Sequence, residues 1–412
     1  MAARSRRGRD APAAAIPVRS WSSRAAPSGS KTLPGRSTSC ESGGTHSAMS
    51  SRHRAWNALT HGVGPRPHTT GVQQRLARIP EERAATDCMN LSHQRRVDRM
   101  SARKWSAADL PDMTGRTVIV TGASSGLGVV TTAELARAGA HVVLAVRNVA
   151  KGDEVARRAE GPTEVRELDL TDLASIRAFA AAWTGEVDVL INNAGIMMVP
   201  QGRTADGFEL QMGTNHFGHF ALTNLLLPHI TDRVVTVSSQ LHRNGHVDVN
   251  DLNWDRRPYN RDRAYADSKQ ANLLFTLELQ RRLDAAGSAV RAVSAHPGIT
   301  KTNLASHLSG FRGMVAQIGI SVVAQDAEHG ALPTLYAATQ DIPGNTYVGP
   351  DGIGQIRGAP VVTAPSKASQ DPDLAARLWA RSAQLTGVDF PARVPSLSAP
   401  IVDPPTVSGG QW

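Results

Sequence analysis

Thr121-Gly122-Ala123-Ser124-Ser125-Gly126-Leu127-Gly128 follows without a break on the β-branched run Thr117-Val118-Ile119-Val120. Residues from Gly126 to Ala138 then fit an amphipathic helix. A strand that turns into a helix through glycines is the context in which a glycine pattern has chemical meaning. Glycine lets the turn tighten and the backbone approach a pyrophosphate, whose charge then rests on the amides and dipole at the helix start. The spacing here is Gly-x-x-x-Gly-x-Gly. Alone, such a turn is a weak signal, because a purely structural turn uses the same residues. Its position between strand and helix makes Gly122, Ser124, Ser125, Gly126, Leu127 and Gly128 the expected phosphate cradle of a dinucleotide.

Working outward, short β-branched runs alternate with helical stretches. Further strands are predicted at 141–146, 165–170, 187–191, 233–237 and 290–295, with a last one around Tyr347. Helices are predicted from Leu173 through Trp183, capped by Thr171 or Asp172, and at 208–230, 264–286, 327–339 and 371–385. This alternation predicts an α/β chain with a single doubly wound, Rossmann-type parallel sheet and helices on both faces, spanning residues 100–389. The Pro- and Ser-rich stretch 390–412 reads as a disordered tail.

Of the 45 Lys and Arg and 36 Asp and Glu side chains, 17 and 6 fall in residues 1–100, so the excess positive charge sits in the first quarter of the chain. The high net charge describes that segment and gives no reason to expect a nucleic-acid partner. Residues 1–99 read as a disordered basic extension. Three origins stay open for it: translated sequence upstream of a start at Met100, an Arg- and Ser-rich transit peptide, or a genuine tail. Both cysteines, Cys40 and Cys88, lie there, which excludes a thiol nucleophile or thiolate metal site from the folded part. No stretch has the roughly 18–20 unbroken apolar residues of a membrane span, so a cytoplasmic protein is expected, and nothing excludes a homo-oligomer.

Where the second strand ends, an acid would accept hydrogen bonds from the adenosine ribose; here Ala145-Val146-Arg147 supplies none. Arg147 can instead grip a 2′-phosphate, favouring NADP(H) over NAD(H), unless it only starts the next helix and faces solvent. Tyr265 and Lys269, four apart on a predicted helix, point to one face. An ammonium near a phenol stabilises the phenolate and makes it a usable general acid or base. Chance produces such pairs often, but Ser239 stands at the C-terminal end of a predicted parallel strand, where open α/β sheets place ligands. His216 and His219 have no third ligand spaced with them, so no metal is expected. His242 and His246, in the insert after Ser239, read as solvated loop residues in preference to the lining of a pocket mouth, while Trp254, Arg256 and Arg257 fit either solvent or the mouth of a pocket for an acidic substrate.

TGASSGLG at 121–128, Asp169-Leu170, Asn192-Asn193-Ala194-Gly195, Asn215, Ser239, Tyr265-Ala266-Asp267-Ser268-Lys269 and Pro297-Gly298 stand in this order, and the chain from about Met113 to Val388 resembles the short-chain dehydrogenase/reductase family. GTNHFGHFALTNLLLP, VSSQLHR and AYADSKQANLLFTLELQRRL are most similar to its retinol dehydrogenase-like branch and the bacterial oxidoreductases related to it. Protochlorophyllide reductase shares the glycine loop, but the cysteine it uses after its lysine is replaced here by Gln270-Ala271. The resemblance implies that Ser239 holds a substrate oxygen, Tyr265 exchanges its proton, Lys269 binds the nicotinamide ribose and lowers the tyrosine pKa, and Asn215 fixes a water in the proton path. It further implies cofactor contacts from Asp169, Leu170, Asn193, Ala194, Gly195, Pro297, Gly298, Ile299 and Thr302, and an alcohol or carbonyl on a small, fairly apolar molecule as substrate. A cofactor-binding regulator without turnover is the competing class; such proteins usually lose the tyrosine or the lysine, and this chain keeps both.

Overall fold

Val118, Ile119 and Val120 are wholly buried on successive positions of one strand, so their side chains must enter two different cores. Val118 and Val120 pack with Leu135, Ala331 and Leu335 on one side of the sheet. Ile119 packs with Ile176, Phe220, Phe275 and Trp379 on the other. Each such side chain removed from water contributes about 1.5–3 kcal/mol, so continuous β-branched runs specify a sheet covered on both faces.

The structure, a computed structural model, describes residues 104–300 and 325–396. The strands are β1 (Thr117–Thr121), β2 (His141–Val146), β3 (Thr163–Glu167), β4 (Val187–Asn192), β5 (Ile230–Val237), β6 (Arg291–Ala295), β7 (Tyr347–Pro350) and β8 (Pro360–Thr363). They form one sheet in the order β3-β2-β1-β4-β5-β6-β7-β8, parallel throughout except for β8, which runs antiparallel to β7. The helices are α1 (Leu127–Arg137), α2 (Val149–Ala156), α3 (Leu173–Ala181), α4 (Gly218–Leu226), α5 (Arg261–Ala285), α6 (Ala327–Thr339) and α7 (Pro372–Thr386). β1 lies between β2 and β4, so the strand order reverses there and the connections diverge to open a crevice above the strand ends. No helix among the described residues is long and apolar enough to cross a membrane.

Several expected elements shift. The third strand covers Thr163–Glu167, not 165–170, because Leu168 and Leu170 leave the sheet and are buried in the core beside it. The helix expected over 208–230 is interrupted by a π turn at Gly213–Phe217, in which the Gly218 amide bonds back to the Gly213 carbonyl. α2 and the edge strand β8 are additions to the predicted set. The tail expected to be disordered from residue 390 is packed at its start: Phe390 and Val394 lie against the core, and Ser396 bridges Ser288. Residues 1–99, Thr302 and residues 397–412 lie outside the described residues.

Candidate active site

The glycine loop leaves β1 at Gly122, whose φ of +67° belongs to the left-handed region and whose Cβ, if it had one, would stand 2.9 Å from the Ala194 Cβ. A Cβ on Gly128 would collide with the Gly122 carbonyl oxygen. These two glycines therefore let the loop, the first turn of α1 and the end of β4 approach one another. One hydroxyl ties them: Thr121 Oγ1 accepts from the Asn193 amide at 2.9 Å and the Ala194 amide at 3.0 Å. His219 Nδ1 is 3.0 Å from the Asn215 carbonyl, which can only accept, so that nitrogen carries the proton and Nε2 accepts from Thr121 Oγ1 at 2.9 Å. Burial holds the His219 ring down to about 4 and so keeps it neutral.

Above the switch point lies a cleft of about 890 Å³. Its walls include Gly122, Ser124, Ser125, Gly126, Leu127, Arg147, Asp169, Leu170, Asn193, Ala194 and Gly195, all expected from the sequence. Lys151 and Arg158 join them. Arg147, Lys151 and Arg158 are exposed, and among the described residues none of the three side chains makes a hydrogen bond or ion pair. Asn148 caps α2 by accepting from the Lys151 amide, so Arg147 stands just before the helix and beside the cleft. Lys151 and Arg158 were not singled out from the sequence, although positions 147, 151 and 158 repeat at helical spacing. The opposite end of the cleft is apolar, lined by Ile196, Val199 and Leu210.

Ser239, Tyr265, Lys269 and Asn215 converge beside the end of β5, although they are not among the cleft-wall residues. Lys269 Nζ donates to the Val237 carbonyl at 3.0 Å and lies 5.9 Å from the centre of the Tyr265 ring. Asn215 Oδ1 accepts from the Ile196 amide and Nδ2 donates to the Ile196 carbonyl and to Ser268 Oγ, each at 2.9 Å. Its side chain thus fastens the segment after Gly195 to α5. Burial pushes the Tyr265 phenol up to about 12, countered only by the Ser239 side chain. The lowering by Lys269 expected above does not appear. The ammonium is itself buried and pushed down to about 8 by desolvation.

Pro297, Gly298 and Ile299 stand outside the cleft wall: the Pro297 carbonyl accepts from Gln325 Nε2 at 2.6 Å, and the Ile299 amide donates to the Ile356 carbonyl at 2.8 Å. The two helical histidines go separate ways, His216 Nε2 to Ser382 Oγ at 2.9 Å and His219 to Thr121. His242, expected in solvent, is fully buried, whereas His246 is exposed. Arg257 is not free for an acidic substrate: it pairs with Asp267 at 3.1 Å and Asp251 at 3.3 Å and lies over the buried Trp254 ring. Asp267, wholly buried on α5 between Tyr265 and Lys269, also accepts from the His246 amide, so it fastens the loop after Ser239 to the helix that carries the tyrosine.

The profile of the family described as short chain dehydrogenase matches residues 116–312. Human retinol dehydrogenase 13 is 42% identical over 308 residues, covering 70% of this chain and 88% of that protein. Human retinol dehydrogenase 11 is 40% identical over 295 residues, covering 69% and 88%. A crystal structure of an uncharacterized protein from Mycobacterium paratuberculosis, 54% identical with a TM-score of 0.63, covers 70% of this chain and 100% of that one. The chain belongs to the short-chain dehydrogenase family, in its retinol dehydrogenase-like branch, and is an oxidoreductase that acts on CH–OH groups.

Proposed function

We propose that this protein is an NADP(H)-dependent oxidoreductase that moves a hydride between the nicotinamide and the alcohol or carbonyl carbon of a small apolar molecule, with Tyr265 exchanging the proton. The convergence of Ser239, Tyr265 and Lys269 at the end of β5 carries the reading: the Ser239 side chain acts on the Tyr265 phenol and Lys269 Nζ lies 5.9 Å from its ring centre, so the groups that must meet at one substrate oxygen stand together. The cleft suits a dinucleotide by its volume and by its place above the switch point, with Gly122 and Gly126 of the loop on its wall at the start of α1. Arg147, Lys151 and Arg158 suit the 2′-phosphate that distinguishes NADP(H).

When bound, the nicotinamide supplies or accepts the hydride. The Ser239 hydroxyl holds the substrate oxygen against Tyr265. With its pKa raised to about 12, Tyr265 is protonated at neutral pH, so carbonyl reduction begins from the resting state and the phenol delivers its proton to the oxygen. Lys269, pushed down to about 8, is still mostly ammonium at pH 7 and stabilises the phenolate left behind. Alcohol oxidation needs the ionised phenol, and its rate rises with pH through the neutral range. Ile196, Val199 and Leu210 favour an apolar substrate, and the relatives' names make retinal and retinol the first compounds to assay.

The test is Tyr265→Phe. NADPH-dependent reduction of retinal and of a panel of ketones and aldehydes should fall by about 100-fold or more, with the NADPH Kd unchanged within about twofold. Turnover equal to that of the parent protein would refute Tyr265 as the proton donor.

A further inference from the structure

The turn after Ser239 does not hold itself in place. Gln240–Asn244 is a single 3-10 turn in which the Ser239 hydroxyl accepts from the Leu241 amide at 3.2 Å, a local bond that leaves the orientation of the whole turn undetermined. Its anchors come from far along the chain. Arg243 Nη2 donates to the Ala364 carbonyl at 2.9 Å, and Gln240 Nε2 to the Gly354 carbonyl at 3.2 Å.

Between these anchors sits His242, wholly buried. Its Nδ1 is 2.7 Å from the Ser239 carbonyl, and its Nε2 is 3.0 Å from the Ser366 amide. A carbonyl can only accept and an amide can only donate, so the ring is the neutral tautomer with its proton on Nδ1. Burial, which pushes its pKa down to about 4, keeps it so. The ring stands edge-on to Tyr347 at 5.6 Å between centres. The Tyr347 hydroxyl also lies 3.4 Å from Nδ1, longer than the 2.7 Å to the Ser239 carbonyl, and the Ser238 side chain acts on the Tyr347 phenol while its hydroxyl donates to the Lys269 carbonyl at 2.8 Å. His242 therefore grips the backbone of Ser239 from one side while the same wedge reaches the helix of Tyr265 and Lys269 from the other.

We propose that His242 is a positioning residue for the reaction: through its Nδ1–H bond to the Ser239 carbonyl it sets the direction in which the Ser239 hydroxyl meets Tyr265 and the substrate oxygen. The proposal rests on the reading of Ser239 given above. It also assigns unequal weight to the two ring nitrogens, since the Nδ1 bond orients the serine while the Nε2 bond joins the turn to the segment after β8.

Two amide side chains separate these bonds. Asparagine places its amide where Nδ1 stands, and glutamine places its amide where Nε2 stands. The experiment compares His242→Asn, His242→Gln and His242→Phe for NADPH-dependent reduction of retinal, or of whichever aldehyde of the panel is turned over, with NADPH Kd and Tm measured on each. His242→Asn should retain kcat within about threefold, whereas His242→Gln and His242→Phe should each lose about tenfold or more. The NADPH Kd should stay within about twofold for all three.

A merely structural ring predicts the reverse order, with Gln, which keeps the bond to Ser366, outperforming Asn; that result overturns the proposal. Each variant is also combined with Ser239→Ala. If His242 acts through Ser239, His242→Gln costs less than about twofold in that background; independent, multiplying losses overturn it. Ser239→Ala alone separates this failure from failure of the underlying reading: if removing the serine hydroxyl leaves kcat unchanged, the role of Ser239 falls, and that of His242 with it.

Discussion

Removing Arg147 should narrow the proposed preference for NADP(H), and the size of the effect follows from its surroundings. The guanidinium is exposed at the end of β2, lines the cleft and has no hydrogen-bond or ion-pair partner among the described residues, so Arg147→Ala breaks no such contact there. A hydrogen bond to a charged group contributes about 1.5–3 kcal/mol, and solvent screening at an exposed site takes the lower part of that range. A loss of about 1.5–2 kcal/mol corresponds to a roughly 10- to 30-fold rise in the NADPH Kd. NADH lacks the 2′-phosphate and should change by less than about twofold. Lys151 and Arg158 remain on the same wall, so the triple alanine variant should weaken NADPH further, again sparing NADH. The assay is a fluorescence titration of both cofactors at low and high salt. The parent protein's preference should shrink with salt, because free cations at a surface are screened over roughly 10 Å at 0.1 M. Equal losses for NADPH and NADH, or a preference indifferent to salt, would refute the 2′-phosphate assignment.

Gly128→Ala drives a methyl group into the Gly122 carbonyl and should cost about 1–3 kcal/mol of stability and most of the cofactor affinity, read as a lower Tm and a lost NADPH-induced Tm shift. Lys269→Met should stabilise the protein at pH 7: the folded-state pKa of about 8 lies below the unfolded 10.5, so the buried ammonium penalises folding below pH 8. In the parent protein that penalty, at most about 3 kcal/mol, is relieved as pH rises from 8 towards 10.5, and denaturant titrations at pH 7 and pH 10 should show the variant's advantage disappear. Arg257→Ala leaves the wholly buried Asp267 without its cation and should cost about 2–4 kcal/mol in urea titration, the Arg being partly exposed. Asp267→Asn should cost less, because it removes the charge together with the need for a partner.

The parts legible in the sequence are those whose requirements are local. A glycine that must take a positive φ, a β-branched run buried on both faces, and a tyrosine and lysine one helical turn apart all write themselves into a few adjacent residues. β3 was displaced because Leu168 and Leu170 are apolar for reasons of core packing, which alternation alone cannot separate from strand pairing. β8 was missed because an edge strand of four residues beginning with proline carries little pattern, and Val361 and Val362 face outward. His242 read as a loop residue because its partners, Ser239 and Ser366, are brought together only by the tertiary fold. The depressed phenol expected from the spacing of Tyr265 and Lys269 failed for a related reason. Spacing reports proximity, whereas desolvation depends on everything else packed around the pair.

The clasp between His242 and Ser366 spans 124 residues, which gives the chain a history during synthesis. A ribosome adding roughly 5–20 residues per second releases the glycine loop and the strands around it well before Ser366 emerges, and about 6–25 s pass between His242 and its far partner. The glycine loop and its neighbouring strands therefore leave the ribosome before the serine turn can gain its far anchor. Truncation anywhere between Gly128 and Ser366 leaves a fragment that carries the glycine loop but lacks the Ser366 anchor of the serine turn.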